Sequence, residues 1–527
     1  MDVVGFQELQ HFDKSALYNA VKNLNFFKTT LFCEVELIEA EVDGKAEALE
    51  GFLSLVTRVR VLYRCDGDPK RHRASLILKR MPLNGLQSDI VKSCRVFERE
   101  RAFYETFVPI MFRVIRTLAH SGEDEDHLEL PLPDFLHASK GKGGEGDVIF
   151  LEDLCDKGYR LPHLISKVHG LDLDHLMVVM RAIGRFHALA EGVQALLPGP
   201  AIGWLERLVH RADTWFHLGG SLDRLVDRGR ALLPAIIRRL KRCRLLYGAA
   251  SVAETLLLSP DVSVTGIIPE MKRDVMWYIS DPGQEPPIFL GVVEKRLEVI
   301  LSMAKQMSGL TREAAESGLL GKALGKLWSI LSKSVKGSLS GWNVANHGDL
   351  WFNNMLFRYE GEGGSGKPVD VKLLDLQLTR YCHPGVDLLF FLYTSTHRSI
   401  REQHFDLLIS EYHSSLARTL RAINHDHMPI SLDDLKTDLR GEYQPFGVII
   451  GTFFAPYLRL DSDGIESDVE NSARDAHREF MEDGNSSCAL RQFNSIANFR
   501  SFMEENIREL TEVIFPKGLE SVNPYWI

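Results

Sequence analysis

Two patterns of apolar spacing divide the chain. Up to about residue 150, apolar residues come in short β-like runs. Segments 52–63 and 74–78 are rich in Val, Leu and Ile and flank a polar turn at 65–73, as two paired strands would. One helical stretch follows, over about 89–115, and is the only helix expected in this part. After the acidic run Glu123-Asp124-Glu125-Asp126, segments 132–138 and 148–151 enclose a Gly/Lys turn at 140–146, a hairpin pattern. From Leu176 onward helical spacing dominates, with one exception. Residues 355–359 and 369–374 alternate around a glycine-rich turn at 361–366, which predicts a β-hairpin inside a helical region.

This division predicts a two-lobed α+β protein. A small, mixed-sheet lobe spans 1–150, and a large, mainly helical lobe spans 151–527. Residues 459–484 carry nine acidic side chains against three Arg and few apolar ones, the pattern of a solvated acidic insertion. No internal repeat is visible.

Composition narrows the function classes. The 527 residues are 45% hydrophobic and 25% charged, enough for a sizeable core. The net charge of −10 comes without a basic tail or stripe, so nucleic acid is not an expected partner. Seven cysteines (33, 65, 94, 155, 243, 382 and 488) are scattered with no CxxC, which indicates neither a zinc site nor a disulfide scaffold and points to a reducing, cytoplasmic setting. The first residues lack the basic-then-apolar order of a secretory signal. The uncharged run 443–458 contains two Pro, Gln and Thr and falls short of the roughly 20 apolar residues a membrane span needs, so it reads as a buried helix.

The most informative segment is His347-Gly348-Asp349-Leu350-Trp351-Phe352-Asn353-Asn354, of the form H-G-D-x-x-x-x-N, followed by the hairpin and Leu374-Asp375-Leu376-Gln377. Phosphoryl transfer asks little covalent help of a protein. It needs an acceptor hydroxyl aimed at the phosphorus and cations on the phosphate oxygens. One carboxylate can orient and deprotonate the hydroxyl, while an amide oxygen and a second carboxylate hold Mg²⁺. Asn354 precedes one hairpin strand and Asp375 ends the other, so antiparallel pairing returns them to within about 5 Å of backbone separation. Alone, H-G-D would read as a turn and Asp375 as a strand-end cap. The spaced set favours a site.

These residues, with Arg380-Tyr381-x-x-Pro384-x-x-Asp387-Leu388, resemble the ecdysteroid kinase-like group of the aminoglycoside and choline phosphotransferase superfamily, which has a protein-kinase-like fold. The resemblance implies Asp349 as catalytic base, Asn354 and Asp375 as Mg²⁺ ligands, and Asp387 as a brace for the catalytic loop. Leu376 departs from the family's usual Phe, one apolar residue for another. The family also implies a Lys on an early strand paired with a Glu on the next helix. Lys79 closes a strand-like run. Of the two acids Glu98 and Glu100, only Glu100 shares a helical face with Phe97, Phe103 and Tyr104, where an unpaired carboxylate would be costly. A Lys79–Glu100 pair resolves that cost and leaves Lys79 placed for the α- and β-phosphates.

Gly51-Phe52-Leu53-Ser54 resembles the family's phosphate-covering loop, although one Gly makes no GxGxxG and a simple hairpin turn fits equally well locally. Backbone N–H groups near Gly51 and Ser54 could cradle phosphate. Residues 149–154, with Glu152, Asp153 and Leu154, resemble the linker whose backbone holds adenine. His187 and His347 read as packed, loop-ordering residues rather than proton carriers.

The expectation is an ATP- and Mg²⁺-dependent kinase of a small-molecule alcohol, with an ecdysteroid-like, sterol or xenobiotic acceptor favoured by the resemblance. A choline- or aminoglycoside-type acceptor is the alternative, and a catalytically inactive nucleotide-binding scaffold is a rival from another class. Only twelve positions separate Asp375 from Asp387, too few for a peptide-binding activation segment. No protein, nucleic-acid or membrane partner is expected.

Overall fold

The computed structural model describes residues 14–29, 34–42, 54–81, 96–118, 128–140, 147–162, 170–196, 287–335, 341–361, 366–456 and 486–526. Gly51 and the acidic stretch 459–484 lie outside them.

Five strands form one antiparallel sheet: β1 (Val35–Val42), β2 (Leu55–Cys65), β3 (Arg71–Arg80), β4 (Phe135–Ser139) and β5 (Val148–Glu152), in the order β1-β2-β3-β5-β4. Alternation in β3 separates its two faces. Ala74, Leu76 and Leu78 are buried in a core shared with Val59, Val61 and Tyr63 of β2, while Ser75, Ile77 and Lys79 point the other way. That core is closed by a helix at Lys14–Thr29, which buries Ala16, Leu17, Ala20, Val21 and Leu24 and whose Asn23 donates to the Leu136 carbonyl. The sequence pattern pointed to one helix in this part, and this second helix corrects it. Its apolar positions recur at helical spacing, so the signal was present.

The helix at Val96–Ala102 passes into a π-helical turn, Phe103–Phe107, before continuing as Val108–Leu118. Phe97, Phe103 and Tyr104 are buried, so the apolar face inferred for Glu100 is real.

The remainder is largely helical. Its centre is a pair of long helices, Leu173–Leu196 and Arg398–Ala422. They approach closely because Gly184 has no side chain, and a Cβ there would lie 2.6 Å from the Tyr412 carbonyl oxygen. The uncharged run supplies the helix Gln444–Phe453, buried from Pro445 to Phe453. No helix among the described residues is long and apolar enough to cross a membrane.

The expected hairpin forms as β7 (Met355–Tyr359) and β8 (Pro368–Leu373). A second small pair, β6 (Val344–Asn346) with β9 (Arg380–Cys382), brackets it and was not foreseen. Three-residue strands carry too little periodicity to recognise. Together these pairs hold the H-G-D loop and Asp375 against the edge of the sheet-bearing lobe.

Candidate active site

Lys79 is one point where the two lobes meet. It pairs across β3 with Ile149 and Val56, and its ammonium lies 2.6 Å from Glu100 Oε2 and 2.6 Å from Asp375 Oδ1. Lys79 and Glu100 are 5% and 1% exposed, so neither charge could be held there alone. Burial by itself would lower the Lys79 pKa, but the Asp375 and Glu100 carboxylates outweigh it and hold the ammonium more firmly protonated than in water. Burial, with Asp375 nearby, pushes Glu100 up, against the pull of Lys79. The pairing inferred from helix periodicity is present, and the second contact, to Asp375, was not anticipated.

Asp375 follows β8 by two residues rather than ending it. It adopts φ 68°, ψ 71°, a left-handed conformation uncommon for any residue but Gly and found where surrounding structure imposes it. The turn is anchored by the Leu374 amide, which donates to the Asn354 carbonyl at 2.9 Å. Hairpin pairing thus brings Asn354 and Asp375 together, as their spacing implied. Asn354 Nδ2 donates to the Asp349 carbonyl (2.9 Å) and to Asp349 Oδ2 (3.0 Å), which turns its amide oxygen away from the loop. An amide oxygen and a carboxylate are the hard donors Mg²⁺ accepts, and Mg²⁺ usually takes its other ligands from phosphate and water. The residue types fit that ion.

Asp349 sits half-buried at the cleft floor. Burial and the neighbouring Asp375 raise its carboxyl to about 7, while Asn354, Gln377 and Arg380 pull the other way. A carboxylate so placed holds a proton weakly enough to lose it, yet is basic enough to take one from an alcohol near neutral pH. Gln377, buried beside it, was not singled out from sequence. Its place directly after Asp375-Leu376 was the available cue.

The loop carrying Asp349 is fixed from beneath. Asp387, fully buried, accepts the His347 and Gly348 amides at 2.6 and 2.8 Å. Burial alone would raise its carboxyl, but the hydrogen bond from His187, with His347 and the Gly348 amide, holds it below the usual range. His347 Nε2 lies 2.8 Å from the Leu374 carbonyl, linking the loop to the Asp375 turn. Gly348 takes φ +84°, and a Cβ there would lie 2.0 Å from the Leu378 carbonyl oxygen.

Around the sheet side of the cleft, Ser54 is buried and its hydroxyl has no hydrogen-bond partner among the described residues. Glu152 is used structurally: its carboxylate accepts the Asp134 amide and pairs with Lys157. Asp153 binds Arg58 and Ser75, both at 2.6 Å. Leu154 packs with Tyr159, Leu356 and Leu374. These linker side chains are therefore committed to protein contacts, as expected if a ligand there meets backbone. The structure brings Lys79, Glu100, Asp349, Asn354 and Asp375 together.

A small antiparallel sheet joined by a linker to a helical lobe, with a Lys–Glu pair on one side and an H-G-D loop and hairpin on the other, defines a two-lobed, protein-kinase-like fold. The sequence model of the ecdysteroid kinase-like family matches residues 48–199 and 283–425, and the chain belongs to that family. It is accordingly placed among kinase-like phosphotransferases. No curated protein matches the chain. A candidate aminoglycoside phosphotransferase from Ralstonia eutropha JMP134 is similar at 10% identity over 91% of this chain and 98% of its own, with a TM-score of 0.33.

Proposed function

We propose that the protein transfers the γ-phosphate of ATP to the hydroxyl of a small molecule, with Mg²⁺. The observation that carries this reading is the convergence of Lys79, Glu100, Asp375, Asn354 and Asp349 from four separate segments onto one cleft. Asp349 is the base. It orients the acceptor O–H and takes its proton as oxygen attacks phosphorus, and the bond from phosphorus to the ADP oxygen breaks in line. Lys79, held by Glu100, neutralises the α- and β-phosphates. Bound Mg²⁺, held by Asn354 and Asp375, would neutralise charge on the transferring phosphate. Buried and without a partner among the described residues, the Ser54 hydroxyl is a ready donor to a phosphate oxygen.

Family membership favours a sterol-like or xenobiotic alcohol as acceptor. A choline- or aminoglycoside-type acceptor is the alternative within the wider superfamily. Intact Lys79, Glu100, Asp349, Asn354 and Asp375 speak against an inactive scaffold. The deciding experiment incubates the purified protein, and Asp349→Asn, with Mg·ATP and a metabolite extract spiked with ecdysteroids, choline and glycosides, followed by mass spectrometry. A phosphorylated species formed only by the parent protein supports the reading and identifies the acceptor class. Absence of both Mg·ATP binding and product overturns it.

A further inference from the structure

Asp387 holds the H-G-D loop, and it is itself held by something the proposed chemistry does not use. His187 Nε2 lies 3.2 Å from Asp387 Oδ2, and on the other side of the ring His187 Nδ1 lies 2.8 Å from the Tyr412 hydroxyl. The rings of His187 and Tyr412 meet edge-on, 5.7 Å apart at 81°. All three residues are completely buried. The contact depends on the tight crossing of the two long helices: Gly184 lets them touch, and Ser415, one turn beyond Tyr412, donates to the Arg181 carbonyl at 2.8 Å.

The order of donors along this chain can be worked out. Burial, with Asp387 and Glu191 nearby, raises Tyr412 well above the usual phenol range, so its hydroxyl keeps its proton and can donate it to His187 Nδ1. The Asp387 carboxylate can only accept, so Nε2 carries the hydrogen that points at it and Nδ1 is the acceptor nitrogen facing the phenol. Asp387 in turn receives three N–H groups: His187 Nε2 and the amides of His347 and Gly348. Without the phenol, the buried Nδ1 loses its donor and the ring is held in place by the Asp387 contact alone. The alternative, with hydrogen on Nδ1, sets a ring lone pair against the Asp387 carboxylate in a fully buried site, and the carboxylate would shift off the loop amides.

We infer that Tyr412 is a positioning residue for phosphoryl transfer, setting the catalytic loop through His187 and Asp387. The inference rests on the proposed reading for its function, but its structural part can be tested separately. Hydrogen-exchange mass spectrometry on the full chain would compare the parent, Tyr412→Phe, His187→Leu and His187→Gln. Gln can donate its amide N–H to Asp387 and accept from Tyr412, so it should rescue what Leu loses. The expected result is at least about tenfold faster exchange at the His347 and Gly348 amides in Tyr412→Phe and His187→Leu, with parent-like protection in His187→Gln. The helices 173–196 and 398–422 should stay protected throughout. Mg·ATP turnover with water as acceptor should fall about tenfold in kcat for Tyr412→Phe, with KM for ATP unchanged. Unchanged exchange at His347 and Gly348, protection lost evenly along both helices, or a loosened loop with unaltered turnover would each overturn the inference. Failure of the proposed function shows differently, as a parent protein that neither binds nor turns over Mg·ATP.

Discussion

Two aspartates that touch the same loop are driven in opposite directions, and their difference explains their division of labour. Asp387 is surrounded by N–H donors and remains a carboxylate. Asp349 is hemmed in with Asp375 and is raised to about 7. For an acid whose folded pKa exceeds its unfolded value near 4, ionisation costs stability. The cost is absent below about pH 4, grows as pH rises to 7 and is complete above it. Asp349→Asn should therefore melt at a higher temperature than the parent at pH 8 in EDTA, by on the order of 1–2 kcal/mol after allowing for its partial exposure, and gain little at pH 5. Equal gains at both pH values would show that charge is not the cause. Next door, Gly348 leaves no room for compromise. Gly348→Ala must place a methyl against the Leu378 carbonyl in a left-handed conformation, and should cost at least about 3 kcal/mol and abolish transfer. A Gly348→Ala protein with parental melting temperature would mean the loop can be rebuilt.

At the scale of elements, the site is assembled by β3, the helix carrying Glu100 and the β7–β8 hairpin. What was legible in the sequence follows from how local each relation is. The Asn354–Asp375 approach could be read because a single hairpin joins them. Glu100 could be chosen over Glu98 because helix periodicity is local. The contact of Lys79 with Asp375 spans 296 residues and depends on how the lobes close, which no spacing reveals. The β6–β9 pair was invisible because each strand is three residues long, whereas the Lys14–Thr29 helix had a readable apolar stripe. The unanticipated Lys79–Asp375 contact has a consequence. One ammonium balances two carboxylates, so Lys79→Met leaves both uncompensated in a largely buried setting. The variant should melt lower than the parent in EDTA, and on the proposed reading millimolar Mg²⁺ should restore part of the loss by binding at Asp375. Mg²⁺ that stabilises the parent and Lys79→Met identically would argue against Asp375 as a ligand.

Across the whole molecule, β8 does more than end at the Asp375 turn, because it ties together the parts that must keep their distance from that turn. Lys372 binds Glu129 at 2.5 Å and the Leu130 carbonyl at 2.9 Å, and the Leu373 amide donates to the Pro131 carbonyl at 2.8 Å, joining the hairpin to the segment that leads into β4. Asp370 accepts from the Tyr159 hydroxyl, just beyond the linker, and pairs at 3.1 Å with Arg185 on the Leu173–Leu196 helix. The bridge between Arg160 and Phe357 fastens the same linker to β7. Burial would raise the Asp370 carboxyl, but Tyr159 and Arg185 outweigh it and hold the pKa below the ordinary value. For an acid with a depressed folded pKa the sign is the reverse of Asp349: the stabilisation is full above about pH 4 and disappears as pH falls through the folded pKa. Asp370→Ala leaves Arg185, only 14% exposed, without this carboxylate, and should cost about 3 kcal/mol at pH 7. Asp370→Asn still accepts from Tyr159 and should lose less. The gap between the parent and the two variants should narrow from pH 7 to pH 3, because the parent begins to surrender the same interaction on acidification. A deficit that persists undiminished at pH 3 would mean that Asp370 acts through packing, and that the linker and hairpin are not held together by its charge.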